Sequence, residues 1–242
     1  MKNVLELIRG HEFYTGDRSI HNKVSVTEIS GSDVLQMYLA RRFPDAKEPD
    51  KVGQNTLGSI FDGGMRDLVA ANGKGEDVDI ENGVRFQIEL PNGFILSGEP
   101  DVIDNGNKWI VDTKLSKMYA VKMMGKEGAK HQYAQQVNYY RLDKRNHFKM
   151  FILWGLKDQS DVKKDHPTEA MVLVEVPKIN DTWLIQNAVE KTEELKLMLE
   201  TDNVKAKCDD TWANDMRCKS YCDKKSVCPY AKKRGYNGAG SW

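Results

Sequence analysis

The chain has 242 residues, 40% of them hydrophobic and 30% charged, and its 36 basic residues are matched by 36 acidic ones. With a mean hydropathy of −0.61, these proportions describe a globular protein of one large domain with at most a small appendage, and exclude collagen-like, coiled-coil and disordered classes. No apolar run approaches the ~18 residues of a membrane span, and Glu6 and Arg9 interrupt the N-terminal stretch where an export signal would be apolar, so a cytoplasmic location without a membrane partner is expected.

The zero net charge conceals a segregation. Residues 61–112 carry eleven acidic and four basic side chains, whereas 113–149 carry nine basic and two acidic ones. A cation-gathering block beside a phosphate-gathering block suits a nucleic-acid site, although two solvated faces would read the same way.

In chain order, Asn3 to Arg9 reads as a short helix. Ser32 or Asp33 is a candidate cap for a second, running to Arg42 and stopped by Phe43-Pro44. A third starts at Asn55 or Thr56, with Leu57, Ile60, Phe61, Met65 and Leu68 at helical spacing. Beyond a Gly-rich acidic stretch the period switches to two: Val84 to Leu90 alternates, Pro91-Asn92-Gly93 turns, and Phe94 to Ser97 returns. Asp101 to Asp104, the turn Asn105-Gly106, and Lys108 to Leu115 form the clearest hairpin. A helix over Ala129 to Lys144, β-type runs at His147 to Leu156 and Glu169 to Val176, and an amphipathic helix from Thr182 to Leu199 with Leu184, Ala188, Thr192, Leu195 and Leu199 inside complete a mixed α/β core. This divides the chain into a core of residues 1–199 and a cysteine-rich tail of 200–242.

The hairpin carries the chemistry. Asp112-Thr113-Lys114 ends an otherwise apolar strand, Trp109-Ile110-Val111, and strand alternation puts Ile110, Asp112 and Lys114 on one face. With a two-residue turn, Glu99 lies opposite Asp112 and Asp101 lies diagonal to it, so three carboxylates meet one lysine. Adjacent carboxylates repel unless a counter-charge joins them, and a hard cation with oxygen ligands, Mg²⁺ or Mn²⁺, supplies it. A surface hairpin with a cross-strand salt bridge is the alternative.

Gly98-Glu99-Pro100-Asp101, then Asp112-Thr113-Lys114, then Gln136 and Tyr140 four residues apart on a helix, resemble the core of the PD-(D/E)XK nuclease superfamily, in its RecB-like branch with the CRISPR-associated adaptation exonucleases. Gln135 with Tyr139 is a second possible register; the branch's Gln-x-Asn-x-Tyr pattern favours the first. The resemblance implies a restriction-endonuclease-like core, a central mixed sheet flanked by helices, that hydrolyses DNA phosphodiesters. In that reading Asp101, Asp112 and the Thr113 carbonyl bind the metal, with Glu99 as a further candidate, Lys114 positions the water, and Gln136 and Tyr140 support Lys114 or touch the strand. Where the branch has a metal-ligating histidine after Gly-x-x-x, this chain has Asp62 after Gly58, whose oxygen suits the same ion. An exonuclease on DNA ends or single strands, in recombination, repair or replication, in a bacterial or phage-infected cell and with a helicase or recombination protein as partner, is what the resemblance implies. A structure-selective endonuclease and a non-catalytic nucleic-acid-binding module remain alternatives.

Cys208, Cys218, Cys222 and Cys228 are the chain's four cysteines. In a chain with no export signal they favour a metal over disulfides. Their spacing resembles the C-terminal ligands of iron-sulfur RecB-like nucleases, which implies a [4Fe-4S] cluster; a structural Zn²⁺ is the alternative. Trp212, Tyr221, Tyr230 and Tyr236 lie among the tail's lysines and are expected to form its miniature core.

Overall fold

The computed structural model describes residues 22–46, 52–72, 80–81, 84–116, 131–156 and 171–236. The helix expected over Asn3 to Arg9 lies outside them. A short strand β1 (Lys23–Ser25) leads directly into helix α1 (Val26–Gly31). Ser25 Oγ accepts the Glu28 N–H at 3.1 Å while Glu28 Oε2 accepts the Ser25 N–H at 2.9 Å, so the pair closes a capping box. Neither element is expected from the apolar pattern, but the Ser-x-x-Glu spacing announces the helix start. Helix α2 (Val34–Arg42) begins as expected at Asp33, which accepts the Leu35 N–H at 3.0 Å, and stops at Phe43.

Helix α3 (Val52–Asn72) starts earlier than the sequence suggested. It is followed by β2 (Ile80–Glu81), β3 (Phe86–Glu89), β4 (Ile95–Gly98), β5 (Val102–Asp104) and β6 (Trp109–Ser116). Helix α4 (His131–Tyr140), β7 (Lys149–Leu156), β8 (Met171–Val176) and helix α5 (Asp181–Thr201) come next. In the tail, a 3₁₀ turn at Ala213–Asp215, a π turn at Arg217–Tyr221 and helix α6 (Pro229–Lys233) complete the order.

The strands form two sheets rather than a single one: β1-β4-β3, and a mixed five-stranded sheet β2-β5-β6-β7-β8. The order within the second puts β6 at its centre, antiparallel to β5 and parallel to β7. A central strand buried on both faces reads as apolar, so the polar Asp112-Thr113-Lys114 within it is the anomaly that marks a site. The main core joins α1, α2, α4 and α5 to β4, through Ile29, Leu35, Leu39, Leu96, Tyr139, Leu184 and Leu195. A second cluster packs Val137 of α4 on Ile152 and Trp154 of β7. On α5, Met198 joins the stripe as a fully buried residue and Leu199 is only partly covered, a correction of one position at a helix end.

The tail packs on the core. Cys208, Cys228 and Ala231 belong to the main core. Asp33 accepts the Asp209 N–H at 2.8 Å, Arg217 Nη2 donates to the Gly31 carbonyl at 2.9 Å, and Lys224 Nζ donates to the Ala46 carbonyl at 2.8 Å.

Candidate active site

Three elements converge on β6. The hairpin that delivers Asp101 differs from expectation: Val102 pairs with Val111, Ile103 with Ile110 and Asp104 with Trp109, so the turn holds four residues, not two. Asp104 is the cause, because its carboxylate accepts both the backbone and the side-chain N–H of Asn107 at 2.8 Å and Lys108 takes a left-handed φ of 60°. The shifted register removes Glu99 from its expected place opposite Asp112. Instead Glu99 accepts Arg66 Nη1 at 2.8 Å. Asp101 is not held diagonally across the ladder; its Oδ2 accepts the Thr113 N–H at 2.7 Å.

Helix α3 supplies the second wall. Its Phe61 ring lies directly over Gly155 of β7, where any Cβ would collide with it. This contact turns Asp62 and, one helical turn on, Arg66 toward the end of β6. The apolar stripe expected on this helix is therefore only partly inward: Ile60 and Leu68 are exposed. Thr113 Oγ1 sits 2.6 Å from Asp62 Oδ1 and 2.8 Å from Asp101 Oδ2. One hydroxyl proton thus serves two carboxylate oxygens, which leaves an excess of negative charge between them. Burial raises the pKa of Asp62, opposed by the Thr113 hydrogen bond and reinforced by the charge of Asp101.

Helix α4 supplies the third wall. Gln136 Nε2 lies 3.1 Å from Asp112 Oδ1 and 3.1 Å from Tyr140 Oη, so the register with Gln136 and Tyr140 is the one that faces the site. Gln136 thus bonds Asp112 and Tyr140 backs Gln136, in place of the direct support of Lys114 or contact with the strand that the resemblance implied. Tyr139 points the other way, donating to the Leu184 carbonyl at 3.0 Å within the core. Asn138, between them, is fully buried and anchors the helix by accepting the Ile179 N–H at 2.9 Å and donating to the Pro177 carbonyl at 3.1 Å.

Asp112 is buried and ion-paired with Lys114. Desolvation pushes its pKa up to about 6 despite the lysine beside it. Burial pulls Lys114 down, but the charges of Asp112, Asp101 and Asp62 outweigh it and raise its pKa, so the ammonium stays protonated. Lys114 Nζ also donates to the Thr113 carbonyl at 3.1 Å and stands 5.7 Å from the centre of the Tyr133 ring.

Hard oxygen donors from Asp62, Asp101, Asp112 and the Thr113 carbonyl are the set that Mg²⁺ or Mn²⁺ takes. Their donor chemistry fits. Their side chains are nevertheless turned toward Thr113, Arg66, Gln136 and Lys114, and among the described residues no group of three or more His, Cys, Asp or Glu is arranged to hold a metal ion.

The fold has known counterparts. SSO0001, whose crystal structure is known, matches with a TM-score of 0.62 and 15% identity over 95% of this chain and 98% of that one. The fold is that of SSO0001. A phage-related exonuclease from Haemophilus somnus 129PT matches at 0.47, with 15% identity over 77% of this chain and 99% of the other. An alkaline exonuclease from Laribacter hongkongensis matches at 0.43, with 12% identity over 75% and 89%. At these scores the two exonucleases are similar to the chain without carrying a function to it. No family model and no curated protein matches the chain.

In the tail the four cysteines are buried and reduced, and together with Gln36, Leu39 and Lys225 they line one small cavity. Gln36 Nε2 donates to Cys222 Sγ at 3.4 Å. Burial raises the thiol pKa of Cys208 and of Cys218, so both are protonated while no cation shares the cavity. The expected miniature core of aromatics is half correct. Tyr230 and Tyr236 bond Asp215, at 3.2 and 2.9 Å, whereas Trp212 and Tyr221 are exposed and contact each other.

Arg66 is the residue that reading the sequence missed. Its signal was present: it follows Asp62 by four positions on one helix, so both fall on one face.

Proposed function

We propose that the chain is a divalent-metal-dependent deoxyribonuclease that hydrolyses phosphodiester bonds, acting as an exonuclease on DNA ends or single strands. The observation that carries this reading is the convergence of Asp101, Asp112 and Lys114 at the polar end of a central strand, with Gln136 and Tyr140 bracing Asp112 from the facing helix. Asp101, Asp112 and the Thr113 carbonyl, with Asp62 alongside, would hold Mg²⁺ or Mn²⁺, which supplies Lewis-acid polarisation of the scissile phosphate when bound. Glu99 stands one step back, behind Arg66.

Lys114 carries a proton at neutral pH, so it serves as a donor: it orients the attacking water and offsets the negative charge growing on the phosphoryl oxygens, rather than abstracting a proton. Gln136 fixes the Asp112 carboxylate so that its second oxygen stays toward Lys114. Trp212 and Tyr221 are exposed at the tail, with Arg217 over the Trp212 ring.

The four cysteines we read as ligands of a [4Fe-4S] cluster, with Zn²⁺ as the alternative, on their thiol chemistry and spacing alone, since as they stand they are not arranged to hold a metal ion. Freshly purified protein distinguishes the two by a broad brown visible absorption or by stoichiometric zinc in a colourless sample.

End-labelled single- and double-stranded DNA, and circular DNA, incubated with Mg²⁺ or Mn²⁺ test the reading. Mononucleotide release from ends, lost by at least about a hundredfold in Asp112→Ala and in Lys114→Ala, is expected. Cleavage of circles would replace the exonuclease with an endonuclease. Intact DNA that wild type and both variants retard equally on a gel would make the chain a binding module.

A further inference from the structure

Arg66 occupies an unusual position. Its Nη1 donates to Glu99 Oε1 at 2.8 Å and its Nη2 to Asp101 Oδ1 at 2.9 Å. The other oxygen of Asp101 accepts both the N–H and the hydroxyl of Thr113. Both oxygens of the buried Asp101 are therefore committed, one to fixed backbone and one to a flexible guanidinium. A dication ligated by Asp101 Oδ1 would lie beside a positive charge, and like charges at such a separation repel strongly. Lys114 holds Asp112 in the same fashion, but it sits on the strand next to its partner, whereas Arg66 reaches across from helix α3 on a long, one-third exposed side chain. Guanidinium groups take carboxylate and phosphate oxygens with the same forked geometry, so a neighbouring phosphate is the natural second partner for Arg66.

Building on the nuclease reading above, we infer that Arg66 is a tethered counter-cation that competes with the metal for Asp101 in the resting protein and transfers to a backbone phosphate of DNA when the strand enters. The carboxylate cluster is then neutralised at every stage: by Arg66 when the site is empty, and by the metal when the substrate has drawn Arg66 away. Metal and DNA bind cooperatively as a consequence. By linkage each raises the affinity of the other by the same factor, with no movement of the backbone required. Glu99 is the hinge of this exchange rather than a ligand, since it keeps the guanidinium beside the site while Asp101 is released.

Isothermal titration of Mn²⁺ into the full chain tests this, with and without a short single-stranded oligodeoxynucleotide carrying phosphorothioate linkages to resist cleavage. Without the oligonucleotide, Arg66→Gln is expected to bind Mn²⁺ roughly five- to tenfold more tightly than wild type, because a competing charge is gone. With it, wild type should gain affinity for Mn²⁺, while the gain in Arg66→Gln shrinks toward none. Arg66→Lys keeps the charge but cannot fork across Glu99 and Asp101; it is expected to show a smaller tightening of the same sign, and it carries the test if the glutamine variant is poorly folded. Equal or weaker Mn²⁺ binding by both variants, or an undiminished gain from the oligonucleotide in Arg66→Gln, overturns the exchange while leaving the nuclease reading intact. Wild type that takes up no Mn²⁺ under either condition overturns both.

Discussion

Gly98 closes β4 beneath the ring of Tyr140, and it can be tested without touching a polar group. A Cβ at this position would stand 2.6 Å from Tyr140 Cε1 and 3.0 Å from both Phe86 Cε1 and Val26 Cγ2. None of the three has room to yield: Phe86 and Tyr140 are each 4% exposed and Val26 is fully buried. The two rings also meet edge to face, with centroids 5.7 Å apart, so moving one displaces the other. Gly98→Ala should therefore cost about 2 kcal/mol, as overpacking of a tight core does. In a chain of this length that lowers Tm by roughly 4 to 8 °C. The consequence continues into the site, because the shifted Tyr140 drags Gln136 and, through it, Asp112. Urea and thermal unfolding of Gly98→Ala, Tyr140→Leu and the double variant form a cycle. Removing the ring edge makes room for the methyl, so the double variant should be more stable than the sum of the single losses by about 1 kcal/mol. An unchanged Tm for Gly98→Ala, or strict additivity in the cycle, would refute the packing argument.

Three further outcomes are expected. Asp112 holds its proton up to about pH 6 in the native state, against an ordinary value of 3.8. Between those values the folded chain binds a proton that the unfolded chain has released, so metal-free stability should fall as pH rises through this window, by about 3 kcal/mol, and Asp112→Asn should flatten the slope in urea titrations. An identical slope in the variant would place the protonation elsewhere. Asp33→Ala removes the α2 cap and the acceptor of the Asp209 N–H together; a loss of about 2 kcal/mol in urea unfolding is expected, and less than about 0.5 kcal/mol would show that water replaces both. Asn138→Leu leaves the Ile179 N–H without its acceptor inside the core, and about 2 to 3 kcal/mol of stability should go with it.

The elements that could be read from the sequence are those whose cause is local. Asp33 before Val34, the alternation from Phe86 to Glu89 and the apolar stripe of α5 each depend on neighbours a few residues away. Of the candidate site, Asp112 and Lys114 stand out as charged residues in an otherwise apolar strand, whereas Gln136 and Tyr140 came from the resemblance to the nuclease superfamily and not from any local pattern. The errors have distant or competing causes. The hairpin register depended on the Asp104 carboxylate, which outcompeted the two-residue turn that Asn105-Gly106 favours. Ile60 and Leu68 match a helical stripe, yet the close approach of Phe61 to Gly155 chose which face of α3 meets the sheet. Arg66 joins Glu99 and Asp101 across more than thirty residues, and no local pattern reports such a triangle.

The way the C-terminal segment is sewn into α1 and α2 bears on how such a protein could evolve. Arg217 seals the Gly31 carbonyl before α2 and Lys224 seals those of Phe43 and Ala46 after it, while Cys208 and Cys228 share the interior with Leu35 and Leu39. A gene truncated after α5 would not encode a leaner protein but one with a gaping flank and bare carbonyls at both ends of helix α2. The tail is thus a keystone, and any lineage that discards its cysteines has to rebuild that flank in the same step.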